Sequence, residues 1–186
     1  LVVWVLMRIP GPQTSRKYRI VVLRGRGDTM SETTASDFVH FVVDAIPVAQ
    51  PRHRIGTVAG KAMAFEAPKA HPIHVFKLAV REAALSDGRD CKDLRIEGPI
   101  VVEIEVVLPR PKNMMWKTKP MPSVLHTKRG DVDNYAKAVL DAMDGIFWHD
   151  DCQVSKLYVS KWIAAGNERP HVAVMVGPAN TRRWPR

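Results

Sequence analysis

Six aspartates lie between Asp131 and Asp151, in the order Asp131, Asp133, Asp141, Asp144, Asp150 and Asp151. The segment leading into them, from Arg110 to Arg129, holds six basic residues and no acid: Arg110, Lys112, Lys117, Lys119, Lys128 and Arg129. Carboxylates beside a polyanion are unfavourable unless a cation intervenes, and a divalent ion with hard oxygen ligands is the usual one. Acids grouped at the end of a basic approach therefore point to metal-dependent chemistry on nucleic acid. Phosphodiester hydrolysis needs an activated water and neutralised phosphate oxygens, which carboxylate-held Mg²⁺ can supply; a nearby Lys137 can offset excess carboxylate charge.

These residues need a helix and an anchor to place them. Asp131 or Asp133 can cap a helix running to about Met143, because a short acceptor satisfies free N–H groups of the first turn. Val132, Ala136, Val139, Leu140 and Met143 are expected to form its apolar stripe, and Asp133, Lys137, Asp141 and Asp144 share another face. Taken by itself, that spacing also describes an ordinary exposed face of paired charges. Two details favour a site. One cap needs only one acid, and Asp150-Asp151 follows a hydrophobic anchor, Phe147-Trp148, for which solvated acids have no use.

The remainder reads as one α/β domain. At 186 residues and 46% hydrophobic, the chain can bury one core but is short for two. Strands are expected at Phe38 to Ile46, Ile100 to Leu108, Leu157 to Ile163 and His171 to Val176, with an amphipathic helix from Pro72 to Leu85 stopping near Asp87-Gly88. Along Ile100 to Leu108 the even positions are all apolar, so one face of that strand faces a core. Pro47 to Pro68 and Pro109 to Gly130 read as loops.

The net charge of +9 divides unevenly. Residues 1–29 carry +5, which leaves +4 for the rest, and the basic approach alone carries +6. Outside residues 1–29 the positive charge is thus focused beside the acids, as a phosphate-guiding surface would require. Met30-Ser31-Glu32 resembles an ordinary N-terminus, so residues 1–29 are expected to be an extension without a domain role; a basic DNA-binding arm is the competing reading. Residues 30–180 form the expected domain and residues 181–186 a basic tail. Cys91 and Cys152 read as free thiols in a reducing compartment, and the apolar run at Leu1 to Met7 is too short to span a bilayer, so a cytoplasmic location is expected.

The pattern Asp131-x-Asp133-Asn134-x-x-Lys137, then Asp141-Ala142 and Trp148-x-Asp150-Asp151-x-Gln153-Val154, resembles the signature of RusA-type Holliday junction resolvases. The strong match spans Lys128 to Lys161, and a weaker one extends the order of elements back to Phe38. The resemblance implies a small α/β (α+β) domain: a mixed or antiparallel sheet of about four strands flanked by two main helices, acting as a homodimer on four-way DNA junctions. It implies metal ligands at Asp131, Asp133 and Asp151, with Asp150 the less certain member of its pair, and an essential cation at Lys137. Mg²⁺ is the expected ion, with Mn²⁺ as a substitute. Gly130 stands where a basic residue or proline is common in the family. The six approach cations, Arg110 to Arg129, would grip backbone phosphates, and Trp116 among them could stack on a base or anchor the loop.

Other candidates are weaker. His71 and His74 have metal-ligand spacing but no accompanying acid or cysteine, which favours a packing role. His149 either assists catalysis or fills space. No Gly-x-x-x-x-Gly-Lys loop is present, so no nucleotide cofactor is expected. The rival to a nuclease is a non-catalytic DNA-binding protein whose acids cap helices and pair with neighbouring bases.

Overall fold

Two stretches with strong period-two alternation, around residues 100–108 and 171–178, set the centre of a sheet, and everything else is arranged against it. The computed structural model describes residues 3–8, 18–23, 38–52, 54–58, 61–65, 67–86 and 91–179. In chain order the elements are β1 (Val3–Arg8), β2 (Tyr18–Leu23), β3 (Val39–Val43), β4 (Arg54–Val58), β5 (Lys61–Phe65), α1 (Pro72–Ala84), α2 (Cys91–Leu94), β6 (Ile100–Leu108), β7 (Val124–Leu125), α3 (Val132–Met143), β8 (Val154–Ile163) and β9 (His171–Pro178). Single 3₁₀ turns occur at Lys112–Met114 and Asp151–Gln153.

Among the described residues the main sheet has five strands in the order β3-β9-β6-β8-β7, one more than expected. Every pairing is antiparallel except β6 with β8. Parallel neighbours need a long crossover, and here it consists of the basic loop, β7 and α3. The acid cluster and its basic approach therefore lie wholly within one connection between two adjacent strands.

Among the described residues, the two main helices cover one face of the sheet. Ile100, Val102, Ile104, Val106 and Leu108 of β6, Val172, Val174 and Val176 of β9, and Phe41 and Val43 of β3 are buried on it against the two main helices. α1 contributes Ile73, Phe76, Val80 and Ala84, at offsets of three, four and four, and the three larger residues stabilise by roughly 1.5–3 kcal/mol each. Leu78, though apolar, lies off this stripe and is exposed. The opposite sheet face carries Glu103 and Glu105, exposed as residues but with the Glu103 carboxyl partly shielded, and has Tyr158 and half-buried Trp162 and Met175 on the same rows. Burial, and then Glu105, raises the Glu103 carboxyl above its usual range.

Two expectations need correcting. Pro47 to Pro68, read as a loop, contains the antiparallel hairpin β4–β5 in register from Arg54↔Phe65 to Val58↔Lys61. It was hidden because neither strand alternates cleanly and each is five residues long. The apolar stripe of α3 is also displaced: Tyr135, Ala136, Ala138, Val139, Ala142 and Met143 are buried, Leu140 is half-buried, and Val132 is 40% exposed. Tyr135 supplies the first turn's core contact, which leaves Val132 outside.

β1 and β2 pair with each other as a separate two-stranded antiparallel sheet. The rest of the expected extension over residues 1–29, the start suggested at Met30, the stop near Asp87-Gly88 and the basic tail at 181–186 lie outside the described residues. None of the described helices is long and apolar enough to cross a membrane.

Candidate active site

α3 is placed by two arms from α1. Lys77 donates to Asp141 Oδ2 at 2.8 Å, and Arg81, one turn later, donates to the Ala142 carbonyl at 2.8 Å and to that of Asp144 at 3.3 Å. Arg81 thereby satisfies carbonyls that the end of α3 leaves without helical partners. With its inner stripe in the core and its C-terminal end held, α3 presents Asp133, Lys137 and Asp141 outward on successive turns. At 1.5 Å per residue, Asp133 and Asp141 lie about 12 Å apart along the axis.

The facing wall comes from the segment before β8. Ile146, Phe147 and Trp148 are fully buried, and the Phe147 ring stacks on Phe41 with centroids 5.9 Å apart. The Trp148 indole N–H donates to Asp151 Oδ1 at 2.9 Å. A buried indole seeks an acceptor, and here the acceptor is one oxygen of an exposed carboxylate. The sequence expectation that Phe147-Trp148 anchors the acid pair thus has a specific physical form. Asp151, Val154 and Leu157 then join Asp133, Ala136, Lys137, Leu140 and Asp141 around an open pocket of about 240 Å³.

The other aspartates are occupied differently. Asp131 is the N-cap residue of α3 by backbone geometry, yet its side chain makes no capping hydrogen bond. Its carboxylate, outside the lining of the pocket, pairs with Arg52 at 3.3 Å, the two side chains being 62% and 83% exposed. Asp150 caps the 3₁₀ turn: it accepts from Cys152 N at 2.8 Å, while the Gln153 side chain accepts from the backbone N–H groups of His149 and Asp150. The Cys152 N–H holds the Asp150 carboxyl below its ordinary range, and the hydrogen bond to Asp150 raises the Cys152 thiol. Asp144 terminates α3 away from the pocket. Among the described residues no three His, Cys, Asp or Glu side chains are drawn together as a ready metal site, and Arg52, Lys77 and the Cys152 amide each hold one acid.

The profile of endodeoxyribonuclease RusA matches residues 44–177. The chain belongs to the RusA family. It is also 33% identical to the uncharacterized protein YqaN of Bacillus subtilis (strain 168) over 145 residues, covering 75% of this chain and 96% of that one. The mixed five-stranded sheet with two principal helices is the fold expected of a RusA-type chain, and the family is one of nucleases acting on DNA.

In this RusA chain the basic approach is an ordered loop. The Arg110 guanidinium donates through Nε to the Ala164 carbonyl at 2.8 Å and through Nη2 to that of Pro122, so it fastens the loop instead of projecting from it. Lys112, Lys117, Lys119, Lys128 and Arg129 are exposed, and Trp116 is exposed beside them with its backbone N–H on the Met121 sulfur at 3.2 Å. Gly130, where the RusA pattern favours another residue, adopts φ +101°, and a Cβ there would lie 2.8 Å from the Tyr135 hydroxyl oxygen. The local backbone thus requires glycine.

His71 and His74 are structural. Nδ1 of His71 accepts from Ile73 N at 3.1 Å as the cap of α1, and the His74 ring meets the Pro68 carbonyl at 3.2 Å. Sequence reading missed Lys77, Arg81 and Arg52. For the first two a signal existed: Lys77 and Arg81 are four apart on a helix whose other face is apolar, but nothing in the sequence says which acids they meet.

Proposed function

We propose that this chain is a divalent-metal-dependent, structure-selective endodeoxyribonuclease that resolves four-way DNA junctions by paired phosphodiester hydrolysis. The observation that carries the reading is the pocket between α3 and the start of β8, where Asp133, Lys137 and Asp151 open together on solvent, Asp133 following closely in the chain on the exposed Lys128 and Arg129 that end the approach loop.

The donor set suits a hard cation. Asp133 and Asp151 would hold the ion as carboxylate ligands, and Mg²⁺ characteristically takes one or two such groups and completes its shell with waters and substrate phosphate. Bound there, Mg²⁺ or Mn²⁺ would supply an acidified water and charge neutralisation on the phosphate. Asp131 would join them only on leaving Arg52, an exposed pair weak enough to exchange. Lys137, one turn from Asp133, offsets the carboxylate charge and stands ready to donate to a non-bridging phosphate oxygen. Lys112, Lys117, Lys119, Lys128 and Arg129 bind backbone phosphates without selecting sequence.

A nearly two-fold junction suits a two-fold dimer with one site per subunit. The uncovered sheet face, with Tyr158, Trp162 and Met175, is the surface that favours self-association. The free thiols of Cys91 and Cys152 suit a cytoplasmic setting in recombination and repair.

The deciding experiment offers labelled four-way junction and matched linear duplex to the purified protein, with and without Mg²⁺. Paired nicks confined to the junction, dependent on the metal and lost in Asp133→Asn, are expected. Junction binding without nicking, or full cleavage by Asp133→Asn, would transfer the assignment to a non-catalytic DNA-binding protein whose acids serve as caps and ion pairs.

A further inference from the structure

The even-numbered, core-facing row of β6 is matched on β8 by Leu157, Val159, Lys161 and Ile163, so a lysine stands opposite buried Val106 where an apolar residue would be expected. A cation in such a row must carry its ammonium to acceptors. Lys161 Nζ donates to the Lys128 carbonyl at 3.1 Å and, in a shorter bond, to that of Gly130. Its own backbone carbonyl accepts from His126 N at 2.9 Å. One residue therefore holds both ends of the segment 126–130, the last stretch before Asp131. Its neighbours on β8 pair with β7, Ile163 with Val124 and Trp162 with Leu125, so the clamp continues the sheet edge onto the loop. Neither of the two ion pairs among the described residues includes Lys161; its charge is met by carbonyl dipoles.

We propose that Lys161 is a positioning residue for DNA entry: by clamping the Lys128 and Gly130 carbonyls it fixes the direction in which Lys128 and Arg129 project and the path of the chain into Asp131. This rests on the nuclease reading for its DNA part and on the fold alone for the clamp. The lysine does not touch substrate; it acts through two exposed cations whose backbone it holds.

Two readouts test it. In free protein, Lys161→Met should speed amide hydrogen exchange in residues 127–131 while the α1 and β9 amides stay protected, and Lys161→Arg, which keeps a donor, should restore much of the protection. Junction binding without divalent cation supplies the second readout, as the slope of log Kd against log salt. Each phosphate contact contributes about 0.9 to that slope on duplex DNA. Lys161→Met should flatten it by more than one contact's worth, yet change little in a Lys128→Ala/Arg129→Ala background. Unchanged exchange in the Met variant overturns the clamp. A slope loss of about one contact in both backgrounds would make Lys161 a direct phosphate ligand and overturn the positioning role. If the parent binds no junction, the nuclease reading falls while the exchange measurement still decides the clamp; a Met variant that unfolds leaves the decision to Lys161→Arg, whose protection must match the parent far better than that of Lys161→Gln.

Discussion

Replacing Trp148 by phenylalanine tests how the pocket wall is held. The indole is fully buried and its N–H reaches Asp151 Oδ1 at 2.9 Å. Substitution deletes three ring atoms from a packed site, which costs roughly 2 kcal/mol from lost transfer energy and the cavity left behind. It also deletes a hydrogen bond to a carboxylate, nominally about 1.5–3 kcal/mol, but Asp151 is exposed and recovers solvation from water, so about 1 kcal/mol is the reasonable share. The total expected loss is about 3 kcal/mol, read from urea unfolding at constant m. In an Asp151→Ala background the acceptor is already gone, so the same change should cost only about 2 kcal/mol, leaving a coupling of about 1 kcal/mol between the two positions. Junction nicking by Trp148→Phe, measured where the variant is fully folded, should also fall as Asp151 loses its fixed orientation. An identical stability loss in both backgrounds would refute the reasoning, because the indole would then be packing alone and Asp151 would not be held by it.

Gly130→Ala forces a side chain into φ +101° against the Tyr135 hydroxyl, so a loss of about 1–3 kcal/mol in thermal stability is expected, with partial recovery on adding Tyr135→Phe. Lys77→Ala and Asp141→Ala should each destabilise by about 1 kcal/mol in urea, and the double variant by less than their sum, since each single change leaves a half-buried partner uncompensated. His40 is held below its ordinary pKa by burial, and His126 by burial and then by Lys161 and Lys128. The unfolded chain therefore takes up protons first as pH falls below about 6.5, so the stability from both neutral rings is complete above that pH and declines as pH falls toward their depressed folded values. Melting temperatures between pH 7.5 and 5 should show this decline, and His40→Asn/His126→Asn should flatten it.

Much of the frame was legible because it rests on patterns the chain repeats. The alternation at Ile100 to Leu108 gave β6 to the residue, and Asp131-x-Asp133 with Lys137 located the helix and its outward face. Phe147-Trp148 could be read as an anchor because two large aromatics one residue before paired acids have little other use. What stayed hidden depends on distant partners. Asp131 looked like a cap until Arg52, 79 positions away, claimed its carboxylate. Arg110 looked like a DNA contact, and its guanidinium instead closes the loop on Ala164 and Pro122. The two-residue strand β7 has no periodicity of its own and exists because β8 offers it an edge.

The position of β9 has a consequence for how this molecule comes into being. It is the latest described strand along the chain, yet it lies inside the sheet, between β3 and β6. While β9 is still within the ribosome, β3 has no partner to bind it to β6, and both expose apolar edges that only the arriving strand can cover. The acids and their basic loop are by then already synthesised, but the sheet that fixes them is still split. Loss of β9 would therefore not trim an edge; it would part β3 from β6 in the sheet and remove Val172, Val174 and Val176 from the core, so the sequence from His171 to Pro178 governs a site to which it contributes no side chain.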